Sequence, residues 1–155
     1  MKHILVATDF SETSESALRE GAKVAALSGA RLTLLHVIFT QSVSETLLGL
    51  DTLEHLALAA DQAGDRTSAL ASLTEEAQHK LGAEVAKLPE KPSNFETAVI
   101  EGRPSSEIAA YASTHDVDLI VMGTHGRSAL GKAFLGSVAD HVIRIAECPV
   151  MVVRK

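Results

Sequence analysis

The sequence predicts an open, doubly wound α/β fold of the Rossmann-like kind, with five parallel strands in the order 3-2-1-4-5 and helices on both faces. Two observations predict it. Short apolar runs with β-branched character recur five times along the chain, and helical patterns separate them. The apolar residues are almost all aliphatic, because the chain has no Trp, one Tyr and four Phe. Such runs suit a parallel sheet that helices cover on both faces, joined by right-handed crossovers.

The five predicted strands are residues 3–8, 31–37, 95–101, 118–122 and 149–153. The helix after the first strand has the clearest boundaries. Ser11 can cap its start, Glu12 and Glu15 favour the positive end of its dipole, and Ser28-Gly29 ends it. Its inward stripe is predicted to contain Ala17, Leu18, Gly21, Ala22, Ala25 and Ala26.

The later helices are marked by their spacing and their first residues. Residues 67–88 keep a helical spacing of apolar side chains until Pro89 and Pro92 end it. The next helix opens with Pro104 in its first turn and turns Ile108, Ala109, Tyr111 and Ala112 inward. The last helix begins near Gly136-Ser137, where Ser137 and Asp140 are predicted to form an acidic version of the capping box. For residues 47–60 the pattern leaves three alternatives open, which are a lid, a partner-facing helix or, as the favoured one, an extra turn of core helix.

Length and composition indicate one globular domain that spans residues 1–155. The formal charge of −6 argues against nucleic acid as a partner, and no apolar stretch is long enough to span a membrane. Cys148 is the only cysteine, which excludes an internal disulfide and favours a reducing compartment, so we expect a cytoplasmic protein. We interpret Cys148 itself as a buried, inert thiol.

The most informative segment is the glycine-rich connection after the fourth strand, which runs from Gly123 through Gly126 to Gly136. Glycines at a strand end and at the next helix start let the backbone approach a ligand, and the exposed N–H groups there favour anions. Arg127 and Lys132 add positive charge. The segment therefore predicts a phosphate site, with plain turn geometry as the alternative.

The predicted strand order places this connection beside a crevice. Open α/β sheets bind ligands at the carboxyl ends of their strands, where the strand order reverses. A nucleotide there would set its base toward the second strand and its phosphates over Gly126 and residues 136–138. Asp9 could accept hydrogen bonds from ribose hydroxyls or base N–H groups, although Asp at such a position also shapes turns. The residues that flank this crevice are Ala7, Asp9, Val37, Met122 and Gly123.

At these residues the chain resembles the universal stress protein family, and the resemblance covers almost the whole sequence. The motifs that carry it are Gly123-x2-Gly126-x9-Gly136-Ser137, Ile4-Leu-Val-Ala-Thr-Asp9-Phe-Ser and Leu35-His36-Val37. In that family the glycine pattern marks the ATP-binding branch. The family often has Pro where this chain has Ala7, and a backbone carbonyl could serve as the contact in either case.

The resemblance implies a role for each matching position. Asp9 and Val37 would contact the adenosine, and Met122 and Gly123 would lie beside the ribose. The residues that match the triphosphate cradle are Gly126, Gly136, Ser137 and Val138. Mg²⁺ or Mn²⁺ would be bound through the phosphates.

The resemblance further implies a regulatory, stress-response binding module that forms a homodimer through the final strand, Val150–Val153. An exposed apolar edge strand favours such pairing on physical grounds as well. The sequence does not identify a protein partner.

Binding rather than catalysis is the expected activity, with slow ATP hydrolysis at most, because no general base or arginine finger can be assigned. One alternative is a nucleotide-free dimeric scaffold whose glycines are structural. Another is a receiver-like signalling domain, but the acidic pair that such a domain needs after its first strand is missing. The seven histidines show no zinc-ligand spacing. His125 could touch a phosphate, although a solvent-facing loop position is favoured.

Overall fold

The computed structural model describes residues 1–39, 66–89, 92–124 and 135–154, and in them strands and helices alternate strictly. The chain begins with β1 (His3–Thr8), α1 (Glu12–Ser28), β2 (Arg31–Phe39) and α2 (Arg66–Ala86). It continues with β3 (Phe95–Gly102), α3 (Pro104–Thr114), β4 (Leu119–Gly123), α4 (Ser137–Ile145) and β5 (Val150–Val153). The predicted helix or lid at residues 47–60 lies outside the described residues.

The sheet has the predicted order, β3-β2-β1-β4-β5, and every neighbouring pair is parallel. β1 is therefore central. β2 and β3 extend the sheet on one side of it, and β4 and β5 extend the sheet on the other side. Ala7 pairs with Leu35 on one side and with Met122 on the other. The strand order thus reverses at β1, where the sequence places the crevice.

Alternation along β1 divides the core into two layers. Ile4 and Val6 are fully buried in a cluster that includes α1 and Leu81 of α2. Leu5 and Ala7 point to the other face, where α3 and α4 cover the sheet. Helices thus lie on both faces, as a parallel sheet of aliphatic strands requires.

The ends of α1 follow the sequence prediction. Ser11 has extended backbone, and its side chain accepts a hydrogen bond from the Ser14 N–H, which otherwise has no helical partner. Gly29 ends the helix in the left-handed conformation at φ 68°, where a side chain would be strained. The inward stripe is confirmed except at Ala26, which is exposed because it lies one position past Ala25 and outside the buried arc.

Three predictions near the chain's end need correction. The N-cap of α4 is Gly136, not Ser137, and no described side chain caps this helix. Asp140 forms no capping box, because its carboxylate accepts a hydrogen bond from Arg144 at 3.0 Å. Cys148 is half-buried rather than buried, since β5 begins only at Val150. Burial still raises the pKa of its thiol, which makes it a poor nucleophile at neutral pH.

Among the described helices, none combines the length and the apolar character that a membrane crossing requires.

Candidate functional site

Four of the predicted site residues meet on one face of the sheet. Ala7, Val37 and Met122 are each less than 10% exposed, and they belong to the same apolar cluster. Val138, in the first turn of α4, packs against that cluster while half-exposed. The carboxyl ends of β1, β2 and β4 and the start of α4 therefore converge, as the predicted strand order requires.

The two ends of the glycine-rich connection are joined by a hydrogen bond. The Gly136 N–H donates to the carbonyl oxygen of Thr124 at 2.7 Å, and the Thr124 N–H donates to Val153 at 3.0 Å. Thr124 is only 4% exposed and was not predicted as a site residue from the sequence. These bonds fix the start of α4 beside the exits of β4 and β5. The predicted site residues Gly126 and Arg127 lie outside the described residues, as do His125 and Lys132.

The start of α4 offers backbone donors to an anion. The first bond within the helix runs from the Asp140 N–H to the Gly136 carbonyl at 2.9 Å. The N–H groups of Ser137, Val138 and Ala139 therefore precede the first N–H that donates within the helix, and they lie at the positive end of the helix dipole. Ser137 is exposed and Gly136 is half-buried, so this end of the helix is accessible at the surface. Such an end suits a phosphate group.

Close packing against α1 is sufficient to explain why glycine occupies position 123. A Cβ placed there would lie 2.9 Å from the carbonyl carbon and from the Oγ1 of Thr13, in the first turn of α1. Only glycine lets the end of β4 approach α1 this closely. The glycine alone is therefore no evidence for a ligand.

Asp9 occupies the turn between β1 and α1. Its Oδ1 accepts a hydrogen bond from the Ser11 N–H at 3.1 Å, which is the turn-shaping role that the sequence left open. The next residue, Phe10, has φ 65°, an uncommon conformation for a bulky residue, and its N–H donates to the Thr8 hydroxyl at 3.0 Å. The Phe10 ring also packs against the His36 ring, with centroids 4.4 Å apart. The nucleotide contact assigned to Asp9 stays a prediction.

A buried polar cluster supports this turn from the opposite face of the sheet. Thr8 Oγ1 lies 3.0 Å from Ser14 Oγ of α1 and 3.1 Å from Glu84 Oε2 of α2. Glu84 is 7% exposed, and burial raises the pKa of its carboxyl. This group was not predicted from the sequence. The signal in the sequence was that Glu84 lies three residues after Leu81 and four residues before Leu88. Positions three and four apart share one helix face, so this spacing indicates an inward-facing Glu84.

Within the part of the chain that the structure describes, no group of His, Cys, Asp and Glu side chains has the arrangement of a metal site.

Comparison with known proteins gives one consistent result. The sequence model described as the Universal stress protein family matches residues 1–154. Universal stress protein MJ0577 of Methanocaldococcus jannaschii is 32% identical over 154 residues, which are 99% of this chain and 95% of that protein. Its solved structure superposes with a TM-score of 0.78 over 99% of this chain and 96% of the other.

Solved structures extend the likeness. UspA of Lactobacillus plantarum is 28% identical, with a TM-score of 0.72 over 99% of this chain and 97% of the other. Two more distant structures contain nucleotides. A universal stress protein in complex with cAMP is 24% identical with a TM-score of 0.59 over 98% and 96% of the two chains. One from Archaeoglobus fulgidus in complex with dAMP is 22% identical with a TM-score of 0.63 over 99% and 98%.

Proposed function

Because the chain belongs to the universal stress protein family, we propose that it binds an adenine nucleotide, ATP or a close relative, as a cytoplasmic, single-domain regulatory module. The site is the crevice at the carboxyl ends of β1, β2 and β4. Two relatives of the same fold were solved with cAMP and with dAMP, so this fold holds adenine nucleotides in those proteins.

One observation carries the proposal. An apolar wall and the N-terminal end of α4, whose N–H groups suit an anion, lie together at the point where the strand order reverses. Ala7, Val37 and Met122 share one cluster with Val138 at the start of α4. A base and ribose need an apolar wall with a few polar groups, whereas phosphates need N–H donors and positive potential. The crevice and the helix end supply both over adjoining surfaces.

In this arrangement the base lies toward Val37 and the ribose beside Met122 and Gly123. The phosphates lie over Gly136 and the N–H groups of Ser137 and Val138, and by the family resemblance Gly126 and Arg127 would complete the cradle. Asp9 accepts hydrogen bonds from the adenosine. Mg²⁺ or Mn²⁺ would be held through the phosphates and would neutralise their charge.

Nucleotide occupancy, rather than turnover, is the proposed output of this module. The described wall of the site is apolar, formed by Ala7, Val37 and Met122 with Val138. A ligand that binds only the folded form changes the protein's stability and can change its surface, which is enough for regulation.

The first experiment measures nucleotide binding directly. With one Tyr and no Trp the protein absorbs weakly at 280 nm, so a co-purified adenine nucleotide would be visible at 260 nm and identifiable by chromatography after denaturation. ATP at 100 times its Kd adds about 2.7 kcal/mol, which raises the Tm of a domain of this size by about 5–10 °C. The proposal would be refuted if no adenine nucleotide co-purifies with the protein and if ATP with Mg²⁺ does not raise the Tm of protein from which any bound nucleotide has been removed.

Gly136→Val tests the helix end. Gly136 has φ −63° and ψ 149°, which valine also adopts, so the variant adds bulk at the phosphate side with little backbone strain. We expect it to lose most of its ATP affinity. Gly82→Val is the matched control. Gly82 lies on the exposed surface of α2, and a Cβ added there has no atom within 4 Å.

The nucleotide-free scaffold remains the second candidate, and the packing of Gly123 against Thr13 favours it. A scaffold needs its glycines for close approach alone. Unchanged ATP affinity in Gly136→Val, or no affinity in the wild type, would support the scaffold.

We also propose a homodimer through β5 (Val150–Val153). β5 pairs with β4 alone in the described sheet, and Val150, Met151 and Val152 are only partly buried. Pro149 and Val153 direct their carbonyls toward the β4 side, so the alternating residues Val150 and Val152 direct their backbone groups outward. An antiparallel second copy would satisfy these groups and cover the edge.

Val152→Pro tests the dimer. Proline at this position removes an outward N–H while the bonds to β4 remain. We expect the wild type to sediment as a dimer and the variant as a folded monomer. A monomeric wild type at the highest concentration measured would refute the proposed interface.

A further inference from the structure

A buried carboxyl group lies beside the proposed nucleotide site without being part of it. Glu84 of α2 is 7% exposed, although glutamate is almost never fully buried without a partner. Its Oε2 lies 3.1 Å from Thr8 Oγ1 at the end of β1. Thr8 directly precedes Asp9, and its hydroxyl accepts the Phe10 N–H. The carboxyl is therefore one hydrogen bond away from the turn that carries Asp9.

Counting protons shows which form of Glu84 fits this cluster. The Ser14 hydroxyl donates to the Ser11 carbonyl at 2.9 Å, so its oxygen can accept the Thr8 hydroxyl hydrogen across 3.0 Å. Thr8 Oγ1 accepts the Phe10 N–H and donates to Glu84 Oε2 when that group is a carboxylate, whereas a protonated Glu84 can donate to Thr8 Oγ1 and leave the Thr8 hydrogen for Ser14. With Glu84 neutral, the chain Glu84 to Thr8 to Ser14 to Ser11 has every proton placed.

Ionised Glu84 cannot complete this chain. A carboxylate only accepts, so it takes the single Thr8 hydrogen and leaves Ser14 without that donor. One contact of the cluster must then be lost. Partly satisfied buried networks are costly, because the unpaired group has no water to replace its partner.

We propose that Glu84 is a positioning residue for the nucleotide site: through the Thr8 hydroxyl it fixes the Asp9–Phe10 turn in the conformation that receives the nucleotide. This inference rests on the proposed function. Phe10 at φ 65° needs such support, because the surrounding contacts must outweigh the strain of that conformation. Glu84 touches no nucleotide and acts only through Thr8.

The charge state of Glu84 then affects nucleotide affinity. Burial raises the pKa of its carboxyl, and the negative charges of Glu15 and Asp9 raise that pKa further. The hydrogen bond from Thr8 and the positive charge of Lys87 lower it, but by less. His36, whose Nδ1–H donates to the Thr8 carbonyl at 2.9 Å, also borders the turn, and Lys80 lies over the Phe10 ring. As the pH rises through the Glu84 pKa the Thr8 hydroxyl turns its hydrogen from Ser14 to the carboxylate, so the Thr8–Ser14 bond that ties the turn to α1 is lost and affinity falls.

Four variants of the full chain test this with ATP and Mg²⁺ in titration calorimetry. Thr8→Val and Glu84→Leu each remove the bond, and we expect about 3- to 10-fold weaker binding, the range of one hydrogen bond. Thr8→Ser and Glu84→Gln keep a hydroxyl and a donor, so their affinity should stay within about twofold of wild type at pH 6. Glu75→Gln, an exposed site on the same helix, is the matched control.

The pH profile separates positioning from simple structural support. Wild-type affinity divided by Glu84→Gln affinity should fall from pH 5 to pH 8, because glutamine does not ionise and every other group, ATP included, is common to both proteins. The Glu75→Gln ratio should stay flat. A flat Glu84→Gln ratio, or wild-type affinity in a folded Glu84→Leu, overturns the inference alone. A wild type that binds no adenine nucleotide overturns the proposed function and this inference with it.

Discussion

Replacing Gly123 with alanine tests the packing that brings β4 against α1. The added Cβ would lie 2.9 Å from the Thr13 carbonyl carbon, a distance that real Cβ atoms essentially never show. Because that neighbour is backbone in the first turn of a helix, it cannot rotate away, and the first turn of α1 must shift. Overpacking of this kind costs about 1–3 kcal/mol. The smaller entropy of the unfolded alanine chain returns only about 0.4–1 kcal/mol, so Gly123→Ala should be destabilised.

Gly82→Ala is the matched control, because it makes the same chemical change with the opposite expected sign. A Cβ at Gly82 meets nothing within 4 Å, and the position is exposed within α2. Alanine there should stabilise the protein by about 0.5–1 kcal/mol through helix propensity. Urea unfolding followed by circular dichroism, without nucleotide, measures both. If Gly123→Ala matches the wild type while Gly82→Ala is stabilised, the close approach of β4 and α1 is wrong.

Three further predictions use the same unfolding assay. Ser11→Ala removes the side-chain cap of α1 and should cost about 1 kcal/mol; no loss would mean that the cap is dispensable. Leu81→Ala empties a fully buried position between α2 and the sheet and should cost about 2–5 kcal/mol, whereas a loss below 1 kcal/mol would show that α2 packs loosely. For Glu84→Gln the pH dependence is decisive. The folded wild type keeps the Glu84 proton to a higher pH than the unfolded chain does, so its stability falls as the pH rises between the two pKa values. The stability of Glu84→Gln relative to wild type should therefore increase with pH, and a constant difference would contradict the raised pKa.

The sheet and its crevice could be predicted from the sequence because both depend on local patterns. Five aliphatic runs separated by helical patterns determine a parallel sheet, and the strand order then determines which strand ends meet. Ala7, Val37 and Met122 were identified in this way, each near the carboxyl end of a strand, although β2 continues two residues past Val37 to Phe39. No side-chain contact had to be known to place them together.

What the sequence did not reveal depends on contacts between distant residues. Ser137 and Gly136 are both acceptable helix caps, and the choice depends on the bond between the Gly136 N–H and the Thr124 carbonyl. Glu84 follows the inward spacing of its helix, yet a glutamate there is ordinarily assigned to the surface. Its partner Thr8 lies 76 positions earlier, so only the folded chain shows the pair.

The end of β1 connects the two layers of the protein because of strand alternation. Ala7 faces α3, α4 and the crevice, whereas the next residue, Thr8, faces α1 and α2 through Ser14 and Glu84. Asp9 follows both. A change in α2 can therefore reach the Asp9 turn through two side chains and without movement of the sheet. A partner that shifts α2 would therefore act on the proposed nucleotide site by the same route.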